Sequence, residues 1–207
     1  MRALSLLIAA TLGAVATPSV VHACACCSEP GQRLEQLAPL DSGLRDTLAQ
    51  LEFAAIALLY ADAGFPDSVS GVVDPASDGY RFQIRQTDRR IVFLLTSPAG
   101  KTGHISLALP LNVMRLEVDP RVFDSLSAGG GPMLYKEWWL EDEVSLDGIF
   151  AAADKRGHAK LILHGGGNSC TSAVDFTHWT LEVKSANTRF TLLGRLVTAN
   201  DKTAPKP

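Results

Sequence analysis

The sequence contains few of the residues that usually carry chemistry. Of its 207 residues, four are cysteine, three are methionine and 7% are aromatic. Met114 and Met133 stand far apart, which excludes a methionine-rich copper tract. No Gly-x-Ser-x-Gly nucleophile elbow occurs, and the run Gly165-Gly166-Gly167 lacks the Lys-Ser/Thr pair of a P-loop. These two common enzyme signatures are therefore excluded.

Positive charge is also sparse. The formal net charge is −3, from 19 lysines and arginines against 22 acidic residues. No basic cluster is larger than the one between Arg85 and Arg90. Nucleic acids and anionic membrane surfaces are bound through clustered basic side chains. The chain is therefore predicted to bind no nucleic acid.

The first 23 residues have the pattern of a secretory signal peptide. Arg2 gives a positive start, residues 3–16 form an apolar run, and Val21-His22-Ala23 resembles a cleavage site. The run is too short to span a membrane and no later run approaches ~20 residues, so no transmembrane segment is predicted. Cleavage would leave Cys24 first, where a lipid anchor is the less favoured alternative because of His22. We expect a periplasmic or secreted protein.

The chain divides into four predicted regions. Residues 1–23 are the signal peptide, and residues 24–50 form a cysteine-rich amino-terminal segment with a short helix. Residues 51–199 form an antiparallel β domain, and residues 200–207 form a disordered tail. No internal repeat occurs at a fixed period. One domain is therefore expected.

Two short helices are predicted within the amino-terminal segment. Pro30 is placed to open a helix over residues 32–37. Leu44 and Leu48 then recur at a helical period, which predicts a second helix ending near Gln50. A strand is predicted beyond it.

Alternation of apolar and polar residues predicts that the rest of the chain is mainly β. Tyr80, Phe82 and Ile84 alternate with polar residues, as in a half-buried strand. Further strands are predicted over residues 91–95, 105–109, 113–118, 133–144, 159–164, 179–184 and 189–197. Eight or nine short strands joined by tight turns favour antiparallel pairing. We predict a single antiparallel β-sandwich or meander-like barrel, and the pattern leaves both open.

Three of the four cysteines form a cluster at the predicted mature amino terminus. Cys24, Cys26 and Cys27 lie within four positions, and Cys26 and Cys27 are too close to pair comfortably with each other. Neighbouring thiolates suit a soft metal ion such as Cu(I) or Zn(II). The cluster therefore predicts a metal site, to which Cys170 or a nearby histidine would add ligands.

A structural disulfide is the alternative use of these thiols. In an oxidising compartment, Cys27 would pair with Cys170 and tie the amino-terminal segment to the β domain. Closing so long a loop stabilises a fold by roughly 3–5 kcal/mol in the chain-entropy model. Thiol–disulfide exchange with a partner protein is a third interpretation.

The segment from His164 to His178 contains several potential ligands. His164 ends one predicted strand, His178 opens the next, and Cys170 lies between them. If the two strands are neighbours, both imidazoles lie at the same end, so we include His164 and His178 in the predicted metal site. A hydrolase built from Cys170, His178 and Asp175 is a less favoured alternative.

One predicted strand has acidic residues on one face and tryptophans on both. Glu137, Glu141 and Glu143 share a face, which we interpret as solvated in preference to a glycosidase carboxylate pair. Trp138 and Trp139 point to opposite faces, so one is expected in the core while the other reaches a loop, an edge or a ligand.

The function predicted from the sequence is that of an exported, non-enzymatic domain that binds a soft metal ion, Cu(I) above all, through Cys24, Cys26 and Cys27. The ion would be passed to a metal-delivery or envelope protein partner. The alternative is a β-barrel or sandwich that binds an apolar small molecule or an envelope protein, with the cysteines serving as a disulfide tie.

Overall fold

A computed structural model describes residues 30–62, 68–76, 79–120, 133–150, 155–167 and 172–197. The predicted signal peptide, the four cysteines and the predicted tail over residues 200–207 lie outside these ranges.

The described residues form ten strands and one α-helix. In chain order these are β1 (Arg33–Pro39), α1 (Ser42–Ala49), β2 (Phe53–Tyr60), β3 (Tyr80–Gln86), β4 (Arg90–Thr96), β5 (Thr102–Ala108), β6 (Asn112–Val118), β7 (Tyr135–Gly148), β8 (Arg156–Gly166), β9 (Phe176–Lys184) and β10 (Arg189–Leu196). The predicted mainly β composition is confirmed, with more strands than the eight or nine expected.

Eight of the strands close into an antiparallel barrel. Their order around the barrel is β7, β5, β4, β3, β2, β10, β9 and β8, and β8 pairs again with β7. Consecutive barrel strands are therefore neighbours, and the pairing of β10 with β2 completes the circle. Closure pairs every barrel strand on both sides, which removes open edges. Of the two predicted architectures, the structure is the meander-like barrel.

The long strand β7 connects this barrel to a two-stranded extension. Its first half, Tyr135–Trp139, pairs with β6, and its second half, Val144–Gly148, pairs with β5 along the same edge. β1 then pairs with the far side of β6. The extension therefore continues the sheet beyond one end of the barrel.

The helix predicted over residues 32–37 is wrong, because this segment is part of strand β1. Arg33 to Pro39 pairs residue by residue with β6. Leu34, Gln36 and Ala38 point to one face in alternation, and Ala38 is buried. The ladder to β6 overrides a weak local preference for helix. Pro30 occupies a turn before the strand.

The second predicted helix is confirmed as α1. Asp41 caps it, since its side chain accepts a hydrogen bond of 2.9 Å from the Leu44 amide. Leu44 and Leu48 are buried and belong to the same core cluster as the barrel residues. Across the described ranges, no helix has the length and apolar character required to cross a bilayer.

Aromatic side chains fill the barrel interior around Trp179. Its indole is fully buried and stacks on Phe82, with ring centroids 5.0 Å apart. Phe53 and Phe93 pack against the same indole at 5.9 and 6.2 Å. Side chains occupy the interior in this way in small eight-stranded barrels.

Candidate functional site

The β8–β9 ladder brings two predicted site residues together. His164 is the register partner of His178. Both imidazoles lie on the outer face, because the adjacent Leu163 and Trp179 point into the barrel and are fully buried. The predicted neighbourhood of the two histidines at one end of the barrel is therefore confirmed. A contribution from Cys170 stays a prediction, since that residue is outside the described ranges.

The carboxylate of Glu137 is the centre of a hydrogen-bond network on this face. Glu137 pairs with His164 across the β7–β8 ladder, and its Oε1 lies 3.3 Å from His164 Nδ1. The same oxygen accepts a short hydrogen bond from the Tyr135 hydroxyl. Its Oε2 accepts a bond of 2.5 Å from Trp139 Nε1. Donors from three side chains thus surround one carboxylate.

The network sets the charge of each member. Partial burial by itself raises the pKa of Glu137, but hydrogen bonds from Tyr135 and Trp139 and attraction to His164 outweigh it, so the pKa is lowered. Burial, reinforced by the Glu137 carboxylate, raises the pKa of Tyr135. Burial lowers the pKa of His164 even though Glu137 opposes the shift. At neutral pH, Glu137 is ionised, Tyr135 is protonated and His164 is neutral.

The remaining ring nitrogen of His164 contacts a hydroxyl. Its Nε2 lies 2.9 Å from Thr180 Oγ1. A neutral imidazole has one N–H and one lone pair, and an ionised carboxylate can only accept. The Tyr135 hydroxyl lies 3.2 Å from Nδ1 and gives its own proton to Glu137, so both groups beside Nδ1 are acceptors. This arrangement favours the tautomer with the proton on Nδ1, in which Nε2 accepts a hydrogen bond from the Thr180 hydroxyl. A metal ion at Nε2 would have to displace this hydroxyl.

His178 has a different setting from that of His164. Its side chain is exposed, and its Nδ1 lies 2.9 Å from the hydroxyl of the preceding Thr177. No carboxylate in the described part of the chain hydrogen-bonds it. His178 therefore has a threonine partner without the acidic group that orients His164.

An open groove runs along the outer face next to Thr180. It has a volume of about 490 Å³, and Thr180 and His164 lie in its wall. Leu58 of β2 and Leu193 of β10 give it an apolar surface, and Arg195 adds a positive charge. The groove is therefore suited to a ligand with an apolar part and an electron-rich group.

Comparison of the chain with protein-family models, curated proteins and solved structures finds no match. Within the described ranges, no three or more histidine, cysteine, aspartate or glutamate side chains are grouped so that they could hold a metal ion. A complete metal site would therefore require ligands from the cysteine-bearing segments.

One row of the sheet carries the attachment points of both cysteine-bearing segments. Arg33 pairs with Val118, Val118 pairs with Tyr135, and Tyr135 pairs with Gly166. Adjacent strands are ~4.8 Å apart, so Arg33 and Gly166 are separated by about 14 Å. The chain leading to Cys24, Cys26 and Cys27 and the chain leading to Cys170 therefore leave the sheet at the same end.

Several members of the network could not be chosen from the sequence. Glu137 was predicted to lie on a solvated face, yet its side chain is only 16% exposed. Thr180 and Tyr135 carry no motif, and the register alone brings them to His164. The prediction that one tryptophan lies in the core is confirmed by Trp138, whereas Trp139 packs against Glu137 and Lys160 on the outer face of the sheet.

Proposed function

We propose that the protein is exported and binds a soft metal ion, with Cu(I) the best match, through Cys24, Cys26 and Cys27. The observation that supports this is the row of register partners from Arg33 to Gly166. The two cysteine-bearing segments therefore join the described sheet at the same end, which supports a shared site. The proposed role is non-enzymatic, with transfer of the ion to a partner protein.

Chain length allows all four thiols to meet. Cys27 is six residues before Arg33, and Cys170 is four residues after Gly166. The described chain stays bonded to the sheet as far as Gly31, whose amide donates to Asp119 O, and Gly167, whose amide donates to Leu134 O. Extended chain spans about 3.3–3.6 Å per residue, so the four residues from Gly31 to Cys27 reach about 13 Å and the three from Gly167 to Cys170 reach about 10 Å. Arg33 and Gly166 are only about 14 Å apart. A shared site needs no change in the barrel.

The chemistry of thiolates selects the class of ion. Sulfur is a soft ligand that prefers Cu(I) and also binds Zn(II). Two or three thiolates from one short segment, completed by Cys170, would give a low-coordinate Cu(I) site or a tetrahedral zinc site. The histidine pair is a further predicted contributor, although His164 would first have to lose its bond to Thr180.

The decisive experiment is metal analysis of the mature protein combined with a count of free thiols. We expect near-stoichiometric copper or zinc in the wild type and its loss when Cys24, Cys26 and Cys27 are replaced by serine. Cys170→Ser tests the fourth ligand separately. His164→Gln tests the histidine contribution, and His158→Gln is its matched control, because His158 is on the same outer face of β8 but six residues from His164.

Two results would contradict the proposal. Absence of metal with two fewer free thiols would identify a structural disulfide instead, and peptide mapping would test whether it joins Cys27 to Cys170. Reversible oxidation of the thiols by a partner would identify redox exchange, for which Cys24 and Cys27 have the Cys-x-x-Cys spacing.

A second candidate function, the binding of an envelope protein or an apolar ligand, is favoured by the outer face of β2. Ile56, Leu58 and Tyr60 point outward and are 48%, 44% and 50% exposed. Exposed apolar patches on soluble proteins often mark interaction sites. Leu58→Glu should then abolish capture of that partner, while metal binding by the cysteines stays unchanged.

A further inference from the structure

We propose that Thr180, His164 and Glu137 act as nucleophile, base and orienting carboxylate toward esters whose apolar acyl group binds in the groove beside Leu58 and Leu193. This site does not involve the thiols, but it uses His164 in the arrangement in which its Nε2 contacts Thr180 and is not a metal ligand. All five residues are described in the structure.

The distances match the roles. The Thr180 hydroxyl lies 2.9 Å from His164 Nε2, within the 2.6–3.2 Å expected between a nucleophile and its base. On the other side of the ring, His164 Nδ1 lies 3.2 Å from the Tyr135 hydroxyl and 3.3 Å from Glu137 Oε1, to which that hydroxyl donates. This order of hydroxyl, imidazole and carboxylate is what defines a catalytic triad, whatever the fold or the order of the residues in the chain.

The carboxylate is held more firmly than a surface glutamate. Tyr135 donates to the oxygen that faces His164, and Trp139 donates to the other oxygen. These bonds fix the rotamer of Glu137 and keep its proton-accepting edge toward Nδ1. Glu137 is therefore a positioning residue that holds His164 in the tautomer whose Nε2 lone pair faces Thr180.

The groove gives a substrate access to the hydroxyl. Thr180 is partly exposed and lines the groove together with Leu58 and Leu193. An aliphatic acyl chain against these leucines would direct its carbonyl carbon toward Thr180. Arg195 is also in the groove wall and adds positive charge to it.

The reaction balances without a cofactor. Thr180 Oγ1 attacks the ester carbonyl carbon while its proton moves to His164 Nε2. The bond to the leaving alkoxide breaks, and the alkoxide takes the proton from Nε2 and departs as an alcohol. Water then attacks the acyl-threonine, gives a proton to Nε2 and releases the carboxylic acid as that proton returns to Thr180.

The neighbouring pair Thr177 and His178 provides an internal control. Its hydroxyl and imidazole are also 2.9 Å apart, but no carboxylate in the described chain orients the ring. If any exposed threonine next to a histidine reacted, both pairs would do so. If the orienting carboxylate matters, only Thr180 reacts.

The test measures p-nitrophenyl butyrate hydrolysis and maps the acylated residue by mass spectrometry, with a metal chelator present. We expect a burst of nitrophenolate and an adduct on Thr180. Thr180→Val keeps the shape but removes the hydroxyl and should abolish both, while Thr180→Ser keeps them. His164→Gln should lower the acylation rate by about 100-fold or more, the scale of general-base catalysis. Thr177→Ala should change neither readout.

Glu137 is tested through the tautomer of His164. Glu137→Gln should slow acylation and change the ¹⁵N shifts of the His164 ring, and Glu137→Asp should restore part of both. A folded wild-type protein that forms no adduct, or a Thr180→Val variant that reacts at the wild-type rate, would overturn the proposal. Repeating the assay with the four cysteines replaced by serine separates it from thiol chemistry, because the adduct on Thr180 should persist.

Discussion

Replacement of Gly194 by alanine should destabilise the barrel through a clash with Trp179. A β-carbon at Gly194 would lie 2.7 Å from Cε2, Cζ2 and Nε1 of the Trp179 indole. Favourable contacts between carbon atoms lie at about 3.5–4.0 Å, so the ring would have to move by about 1 Å. Trp179 cannot move freely, because Phe82 stacks on it with centroids 5.0 Å apart.

The expected change in the free energy of unfolding is the difference between two opposing contributions. Overpacking a core costs about 1–3 kcal/mol. A Gly→Ala change also restricts the unfolded chain, which returns about 0.4–1 kcal/mol where the backbone is compatible, and the backbone of Gly194 is not left-handed. We expect a net loss of about 1–2 kcal/mol, measured as a lower urea midpoint at unchanged slope.

Two further variants test whether the clash with Trp179 is the cause of the lost stability. Trp179→Phe removes the part of the ring that clashes, so the double variant should show a coupling of about 0.5–3 kcal/mol. Gly43→Ala in α1 is the control, since the new carbon would meet only Asp41 Oδ1 at 3.6 Å, and it should not destabilise. A Gly194→Ala protein as stable as the wild type would refute the predicted packing around the indole.

Three other substitutions test the core and the outer-face network. Glu137→Gln should bring the pKa of Tyr135 part of the way back toward its ordinary value, as followed by ultraviolet titration, since burial remains but the carboxylate is gone. Because the folded-state pKa of Glu137 is lowered, its contribution to stability is present above the unfolded pKa and lost as the pH falls through the folded one. The same variant should therefore lose less stability on acidification, as measured by thermal unfolding. Lys136→Ala should cost about 3–5 kcal/mol in chemical denaturation, because it removes the ion pair of 2.9 Å from the poorly exposed carboxylate of Asp175. Leu48→Ala should cost about 2–5 kcal/mol in the same assay, since Leu48 is 2% exposed and belongs to the core cluster.

Local patterns were sufficient to predict most of the barrel. The alternation of apolar and polar residues in β3 and the apolar run in β4 indicate which side chains are buried, because successive side chains point to opposite faces of a strand. β1 was mistaken for a helix because its seven residues have weak preferences and gain their conformation from β6. Barrel closure depends on the pairing of β2 with β10, whose residues are far apart in sequence, so no local pattern could reveal it.

The candidate site was predictable only in part. His164 and His178 could be paired because they flank one connection, and adjacent antiparallel strands place such residues opposite each other. Glu137 and Tyr135 reach His164 through the β7–β8 ladder, whose register is set by the packing of the buried residues Trp138 and Leu140. Register of this kind is a property of the whole sheet and cannot be read from single residues.

Strand β1 is attached to the sheet less firmly than the barrel strands, because it belongs to the extension that pairs with the first half of β7. Among the described strands, β1 is bound along one side only, by β6, whereas every barrel strand is bound along both. Detachment of β1 would break one ladder and leave the closed circle intact. The β1 segment can therefore detach and reattach while α1 stays packed through Leu44 and Leu48, at a free-energy cost below that of global unfolding. A partner that pulls on this segment would work against a single strand instead of the whole barrel.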